Sequence, residues 1–185
     1  RDPEDLPVSF VFSGHGGQWP GMQRELMEHV APFRAKMCQC DAAVQTYAGW
    51  SVLRALEQAE ASSPGSVPDL ERVHSCLFSF QTSLAAAVQF FGVEPVAVTG
   101  HSMGEVAAAH VAGALSLEDA VRVIVERSRV LKQALDTTED HGAMAALRIS
   151  AEEADRLIRD CHGQLTVAVS NSPNYTVLAG PRPLL

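Results

Sequence analysis

The sequence predicts an α/β fold built in two parts, and three observations carry that prediction. A β-branched run at 96–99 feeds through Gly100-His101-Ser102-Met103-Gly104 directly into the helix-forming stretch 105–114. An apolar pentapeptide at 8–12 opens into a glycine-rich loop and then into helical patterns. Beyond residue 141 the pattern shortens to strand, helix, strand, strand, the opening of a split β-α-β motif. With 185 residues, 46% of them hydrophobic, the chain can bury a core as one domain plus a smaller appendage.

Taken in order, residues 8–12 form a short strand of buried type, and 13–22 a loop rich in glycine. That loop has two readings. It is a tight connection from strand to helix, or its successive amides turn inward as an anion-binding concavity, since glycine accepts positive φ. Helices are predicted at 24–30, 32–46 and 51–60, followed by a surface loop at 62–68 with two prolines and a glycine. A long helix begins at Leu70 or Val73 and runs to Phe91, where Gly92 stops it and Pro95 prevents its resumption. Ser116 caps a helix reaching Leu135, with Glu118 and Asp119 in its first turn. The polar stretch 136–141 divides a large part, 1–138, from a small one, 139–185. In the small part a strand spans 142–149, Ser150 caps a helix to Arg159, and strands at 165–170 and 175–179 flank the turn 171–174.

Fourteen basic and 22 acidic residues give a formal charge of −8, with no basic cluster to track a phosphate backbone, so nucleic acid is not an expected partner. No apolar stretch reaches the length of a membrane span, and the N-terminus carries no signal-peptide pattern. Cys38, Cys40, Cys76 and Cys161 lack metal-ligand spacing; the first two would point about 200° apart on a helix. They read as reduced thiols of a cytoplasmic chain, and no metal is expected.

Strand, Gly-x-Ser-x-Gly and helix together are the layout of a nucleophile elbow, in which a sharp turn exposes the serine hydroxyl at a helix start. Glycine at 100 and 104 lets the strand and helix backbones pass closely. Ser102 is therefore the candidate nucleophile, and the amide of Met103 a natural oxyanion donor. A second donor is expected from the loop 14–18, from the amide of His15. No histidine stands out as general base. His101 is adjacent to Ser102 and suits a packing or hydrogen-bonding role, while His110 lies roughly two helical turns away. His74 is able to approach from the neighbouring helix; His29, His141 and His162 read as surface or boundary residues. Of Arg122, Arg127 and Arg129, one facing inward could fork onto a carboxylate, and Arg127 is a reasonable but unforced choice.

These segments, in this order, resemble the acyltransferase domain of modular type I polyketide synthases, related to malonyl-CoA:acyl carrier protein transacylases. The likeness runs from about Phe10 to Gly180. It includes the stretch from Phe12 to Met22, Gly100 to Glu105, Ala107 to Ala120, Arg127-Ser128-Arg129 and Gly142-Ala143-Met144. The resemblance implies an α/β-hydrolase-like large subdomain with the start of an inserted ferredoxin-like small one. It implies transfer of a malonyl or methylmalonyl unit from coenzyme A to the phosphopantetheine thiol of an acyl carrier protein. Ser102 would form the acyl-enzyme, the amides of His15 and Met103 the oxyanion hole, and Arg127 the grip on the distal carboxylate. His74, Gln18 and His101 are possible pocket residues. The partners implied are acyl-CoA, a carrier protein, adjacent ketosynthase and linker domains, and a second chain carrying the rest of the domain, with no permanently bound cofactor. Departures are His15 and His74, each where the family usually has Gln. The family's catalytic histidine and its segment for malonyl versus methylmalonyl choice belong past Leu185, so the chain reads as truncated. An acyl hydrolase and a catalytically incomplete scaffold or docking domain are the competing expectations.

Overall fold

The computed structural model describes residues 6–61, 69–137 and 142–185. The expected loop at 62–68, His141 and the 138/139 division lie outside the described residues. Two compact units are present, Arg1–Val130 and Leu131–Leu185.

In the first unit, β1 (Val8–Phe12) is followed by α1 (Arg24–His29), α2 (Ala31–Ala48), α3 (Val52–Ala61), α4 (Leu70–Phe90), β2 (Pro95–Gly100), α5 (Gly104–Val111) and α6 (Leu117–Asp136), whose last residues belong to the second unit. Side-chain chemistry fixes several ends. Pro32 enters α2 in its first turn, where its missing N–H costs nothing, and Gly49 closes the helix at φ 79°. The buried carboxylate of Asp41 accepts from the Ser51 hydroxyl and the Leu53 amide, and so anchors the start of α3 to α2. Asp69 caps α4 by accepting from the Glu71 amide. Helix α5 ends three residues before the expected 114. Gly113 turns at φ 78°, and Ala114 N–H reaches back to Ala109 O at 2.9 Å in a Schellman-type stop.

The core joins α2, α4, α5 and α6 around Phe33, Met37, Phe78, Met103, Val121 and Ile124, all nearly or fully buried. Each contributes about 1.5–3 kcal/mol through area removed from water. The buried hydroxyls of Ser79, Thr82 and Ser83 on α4 donate to carbonyls one turn back, which satisfies their protons locally, and Thr82 Oγ1 also lies 3.5 Å from Cys40 Sγ of α2.

Strands β1 and β2 pair in parallel, from Val8 opposite Pro95 to Phe12 opposite Gly100. The expectation that 8–12 is a buried strand is corrected here. Phe12 is buried and Phe10 and Val98 pack on the helical core, but Val11 is 74% and Val96 70% exposed. Side chains alternate between faces along a strand, and in this two-stranded sheet helices cover only one of them.

In the second unit, the strands β3 (Ala143–Leu147), β4 (Thr166–Ser172) and β5 (Tyr175–Gly180) form an antiparallel sheet of order β3-β5-β4, and the helix α7 (Ala151–Leu157) connects β3 to β4. The returning strand slots between the two that the helix connects, as a split β-α-β motif requires. Ser150 and Glu153 form a reciprocal capping box at the start of α7, and the helix gives way to a 3₁₀ turn at Arg159–Cys161. The β4–β5 turn is tighter than expected, with Ser172 already paired to Tyr175.

Candidate active site

Between β2 and α5 the backbone reverses within three residues. Ser102 sits at φ 54°, one of two non-glycine residues with positive φ among those described. That conformation costs roughly 1–2 kcal/mol for an L-residue. Hydrogen bonds from Gly104 N–H to His101 O and from Glu105 N–H to Ser102 O close the turn. The elbow is also pinned to β1 by His101 N–H donating to Phe12 O at 2.9 Å. Both glycines are sites of close approach. A Cβ on Gly100 would lie 2.3 Å from the Glu105 nitrogen, and one on Gly104 2.3 Å from Phe12 O. The sequence pattern therefore has a steric cause, and its product is an exposed Ser102 side chain at the mouth of α5. Met103 stands at the N-cap of α5 with its side chain fully buried. The first amides of a helix have no intrahelical acceptor, so this end is electropositive and suited to a developing oxyanion.

The glycine-rich loop reaches the elbow. A Cβ on Gly14 would be 3.0 Å from His101 Nδ1 and 3.4 Å from Ser102 Cβ, which places His15 next in line. Gln18 turns inward on its own loop, its Oε1 accepting from Gly16 N–H at 3.0 Å. Gln81 of α4, a residue that carries no signal in the sequence, holds the loop's start by donating to Ser13 O at 2.8 Å.

Arg127 is the arginine that faces Ser102: its Nη2 donates to Ser102 Oγ at 3.0 Å, and the residue is half-buried. The alternatives are accounted for. Arg122 is exposed, and Arg129 forks onto Glu71, with Nε–Oε2 at 2.8 Å and Nη2–Oε1 at 3.2 Å, while also reaching Glu126. Burial pushes Glu71 up, but hydrogen bonds from Arg129 and Trp50 outweigh it and hold the carboxyl below its ordinary value.

His74 is 3% exposed, bonded through Nδ1 to the Ser128 hydroxyl at 2.8 Å and packed edge-on to His15 at 5.4 Å between ring centres. Burial, with the nearby His15 and Arg127, pulls its pKa down to about 4. His110 is engaged elsewhere. Its Nδ1 donates to Leu115 O at 3.0 Å, its Nε2 accepts from Lys36 Nζ at 2.8 Å, and burial lowers its pKa. His29 lies beside Glu28 on the surface. All four cysteines are free thiols; burial pushes Cys76 up to about 12. Among the described residues no cluster of three or more His, Cys, Asp or Glu could hold a metal, and no helix is long and apolar enough to cross a membrane. An open apolar groove of about 390 Å³ runs along β1 and α4 past Phe10, Trp19 and Phe80, and Ser102 does not line it. The elbow, not that groove, gathers the reactive groups.

Residues 9–185 match the acyl transferase domain family. The chain is 43% identical over 182 residues to the pikromycin polyketide synthase component PikAII of Streptomyces venezuelae, covering 96% of this chain and 5% of that protein. It is 39% identical over 171 residues to erythronolide synthase EryA2 of Saccharopolyspora erythraea, covering 92% and 5%. In structure it resembles the acyltransferase domain of the polyketide synthase PpsC of Mycobacterium tuberculosis, with TM-score 0.83 and 35% identity over 95% of this chain and 50% of that one. The chain thus spans a small fraction of the curated relatives and half of the solved domain. The overlap bears out the α/β-hydrolase-like class expected from the sequence, with its parallel and antiparallel sheet segments.

Proposed function

Because this chain belongs to the acyl transferase domain family of modular polyketide synthases, we propose that it moves a malonyl or methylmalonyl unit from coenzyme A to a carrier-protein thiol through Ser102. The observation that carries the substrate class is the 3.0 Å contact between Arg127 Nη2 and Ser102 Oγ. It sets a permanent planar cation at the nucleophile, and a dicarboxylic acyl group is what offers that cation an anion within a bond or two of the reacting carbonyl. A neutral acyl chain would leave the guanidinium partly desolvated without a counter-charge, which is unfavourable.

In this reading Ser102 Oγ attacks the thioester carbonyl, and the Met103 and His15 amides take the negative oxygen. The C–S bond breaks, the CoA thiolate leaves with a proton, and the malonyl ester remains on Ser102. The phosphopantetheine thiol of the carrier then attacks that ester and regenerates the serine, a ping-pong sequence. His74, Gln18 and His101 belong to the surroundings of the pocket rather than to the bond changes. The group that accepts the Ser102 proton is assigned to the portion of the family domain that this chain does not span, since solved relatives are about twice as long. Neighbouring ketosynthase and linker domains are the implied assembly partners, as the relatives are components of multidomain synthases. Four free thiols, two of them buried, support a reducing cytoplasmic setting.

The test is incubation with malonyl-CoA, methylmalonyl-CoA and acetyl-CoA, with and without the complementary part of the domain, followed by intact-mass analysis. A malonyl adduct that disappears in Ser102→Ala is expected. Arg127→Ala should reduce the preference for malonyl over acetyl by roughly 10- to 100-fold, the value of a charge-assisted hydrogen bond. Release of free acid without a carrier would make the chain a hydrolase. No adduct even with the complementary part present would leave it a scaffold and refute the proposal.

A further inference from the structure

Behind the elbow runs a chain of hydrogen bonds that acyl transfer does not itself use. Ser128 follows Arg127 on α6 and is fully buried. Its hydroxyl donates to Ile124 O at 2.7 Å. A hydroxyl has one proton, so toward His74 Nδ1, 2.8 Å away, Ser128 presents a lone pair. Nδ1 must therefore carry the hydrogen, and Nε2 of the neutral ring is bare. One nitrogen bond fixes both tautomer and ring orientation. This pinned ring meets the His15 ring in a T-shaped contact, at 5.4 Å and 83°.

His15 occupies the middle of a loop that has little stiffness of its own, with Gly14 before it and Gly16, at φ 107°, and Gly17 after it. Gln81 braces the start of this loop at Ser13, and Gln18 holds Gly16. Neither of these hydrogen bonds is made to His15, whose amide is the second oxyanion donor in the mechanism above. An oxyanion donor acts only when it is already aimed before the charge appears.

We propose that His74 is a positioning residue, a buttress pinned by Ser128 that holds His15 and so ties the oxyanion loop to the helix bearing Arg127. Its kinetic consequence rests on the acyl-transfer reading; the buttress itself is a property of the fold. Carboxylate recognition at Arg127 and oxyanion stabilisation at His15 are then linked by one side chain, from α6 through α4 to the loop after β1.

The experiment uses the full chain with the complementary part of the domain present, and two variants, Ser128→Ala, which unpins the ring, and His74→Ala, which removes it. The limiting rate of Ser102 malonylation should fall roughly 10- to 100-fold in each, the scale of a misplaced reacting group, while the half-saturating malonyl-CoA concentration changes little. The double variant should be no worse than His74→Ala, because both changes remove the same support. Nitrogen NMR of the imidazole rings should show His74 protonated at Nδ1, and the His15 backbone amide resonance should shift in both variants. Limiting rates within twofold of the unmodified chain, a loss confined to half-saturation, or an unmoved His15 amide would overturn the proposal. If the unmodified chain acquires no acyl group even with the complementary part of the domain present, the acyl-transfer reading fails, and the His15 amide still decides the buttress.

Discussion

Gly104→Ala tests the elbow most directly. The added Cβ would lie 2.3 Å from Phe12 O and 2.6 Å from Ser13 O, where ordinary contact begins at 3.4 Å. Those obstacles are backbone atoms of β1 and the residue after it, so no side chain can swing aside. The elbow and β1 must part by roughly an ångström, against the His101 N–H to Phe12 O bond that joins them at 2.9 Å. Overpacking of this kind costs about 1–3 kcal/mol of stability. Because Ser102 and the Gly14–His15 loop lie on opposite sides of the gap, an ångström of separation should also lower acylation by about 100-fold. The assay is the rate of malonyl adduct formation at saturating malonyl-CoA with the complementary part of the domain present, corrected for folded fraction from thermal unfolding. Gly49→Ala is the control: its φ of 79° makes alanine strained, yet no atom lies within 4 Å of the new Cβ, and it is remote from the elbow in sequence. It should lower the melting temperature and leave acylation intact. A folded Gly104→Ala chain acylating within threefold of the unmodified one, or an equal loss in Gly49→Ala, would refute the reasoning.

Two further outcomes concern stability. His74 has a pKa of about 4 in the folded chain against an ordinary 6.5. The unfolded chain thus takes up a proton below pH 6.5 that the folded chain refuses until about 4, and stability should fall through that window by up to about 1.4 kcal/mol per pH unit. Denaturant titrations from pH 7 to 4 should show a shallower slope for His74→Gln, and equal slopes would remove the buried neutral imidazole. Glu71→Gln weakens the fork to Arg129, which is 38% exposed, and should cost about 1 kcal/mol at pH 7. That cost should vanish as pH falls far enough to protonate Glu71, whose pKa is held below its ordinary value; an unchanged denaturation midpoint at pH 7 would show the pair contributes nothing.

The elbow was legible because its cause is local. Two glycines spaced around a serine, with a strand before and a helix after, encode a close backbone crossing within ten residues, and the structure shows what each glycine avoids. The strands and capped helix of 143–180 were legible through alternation and the Ser150 cap for a similar reason. Choosing among the arginines of α6 was not, because the decision is made by Glu71, 58 residues earlier, which takes Arg129 and leaves Arg127 beside Ser102. The His74–Ser128 bond spans 54 residues and has no periodic signature. The misjudged burial of 8–12 has another origin. Apolar content says that a strand has something to pack against, not on how many sides, and here helices cover one face only.

The parallel pair β1–β2 carries a practical corollary for anyone handling the isolated chain. Val11 and Val96, on neighbouring strands, are both at least 70% exposed, and so are Phe90 and Phe91 just before β2. Parallel sheets are ordinarily sandwiched between other layers, and unpaired strand margins bordered by oily side chains recruit further strands from whatever protein is nearby. A net charge of −8 supplies only general repulsion between copies, which salt screens. Colloidal behaviour should therefore worsen steeply with concentration and added salt, and a charged residue in place of Val11 or Val96 is the economical remedy, since neither side chain belongs to the core around Phe33 and Phe78.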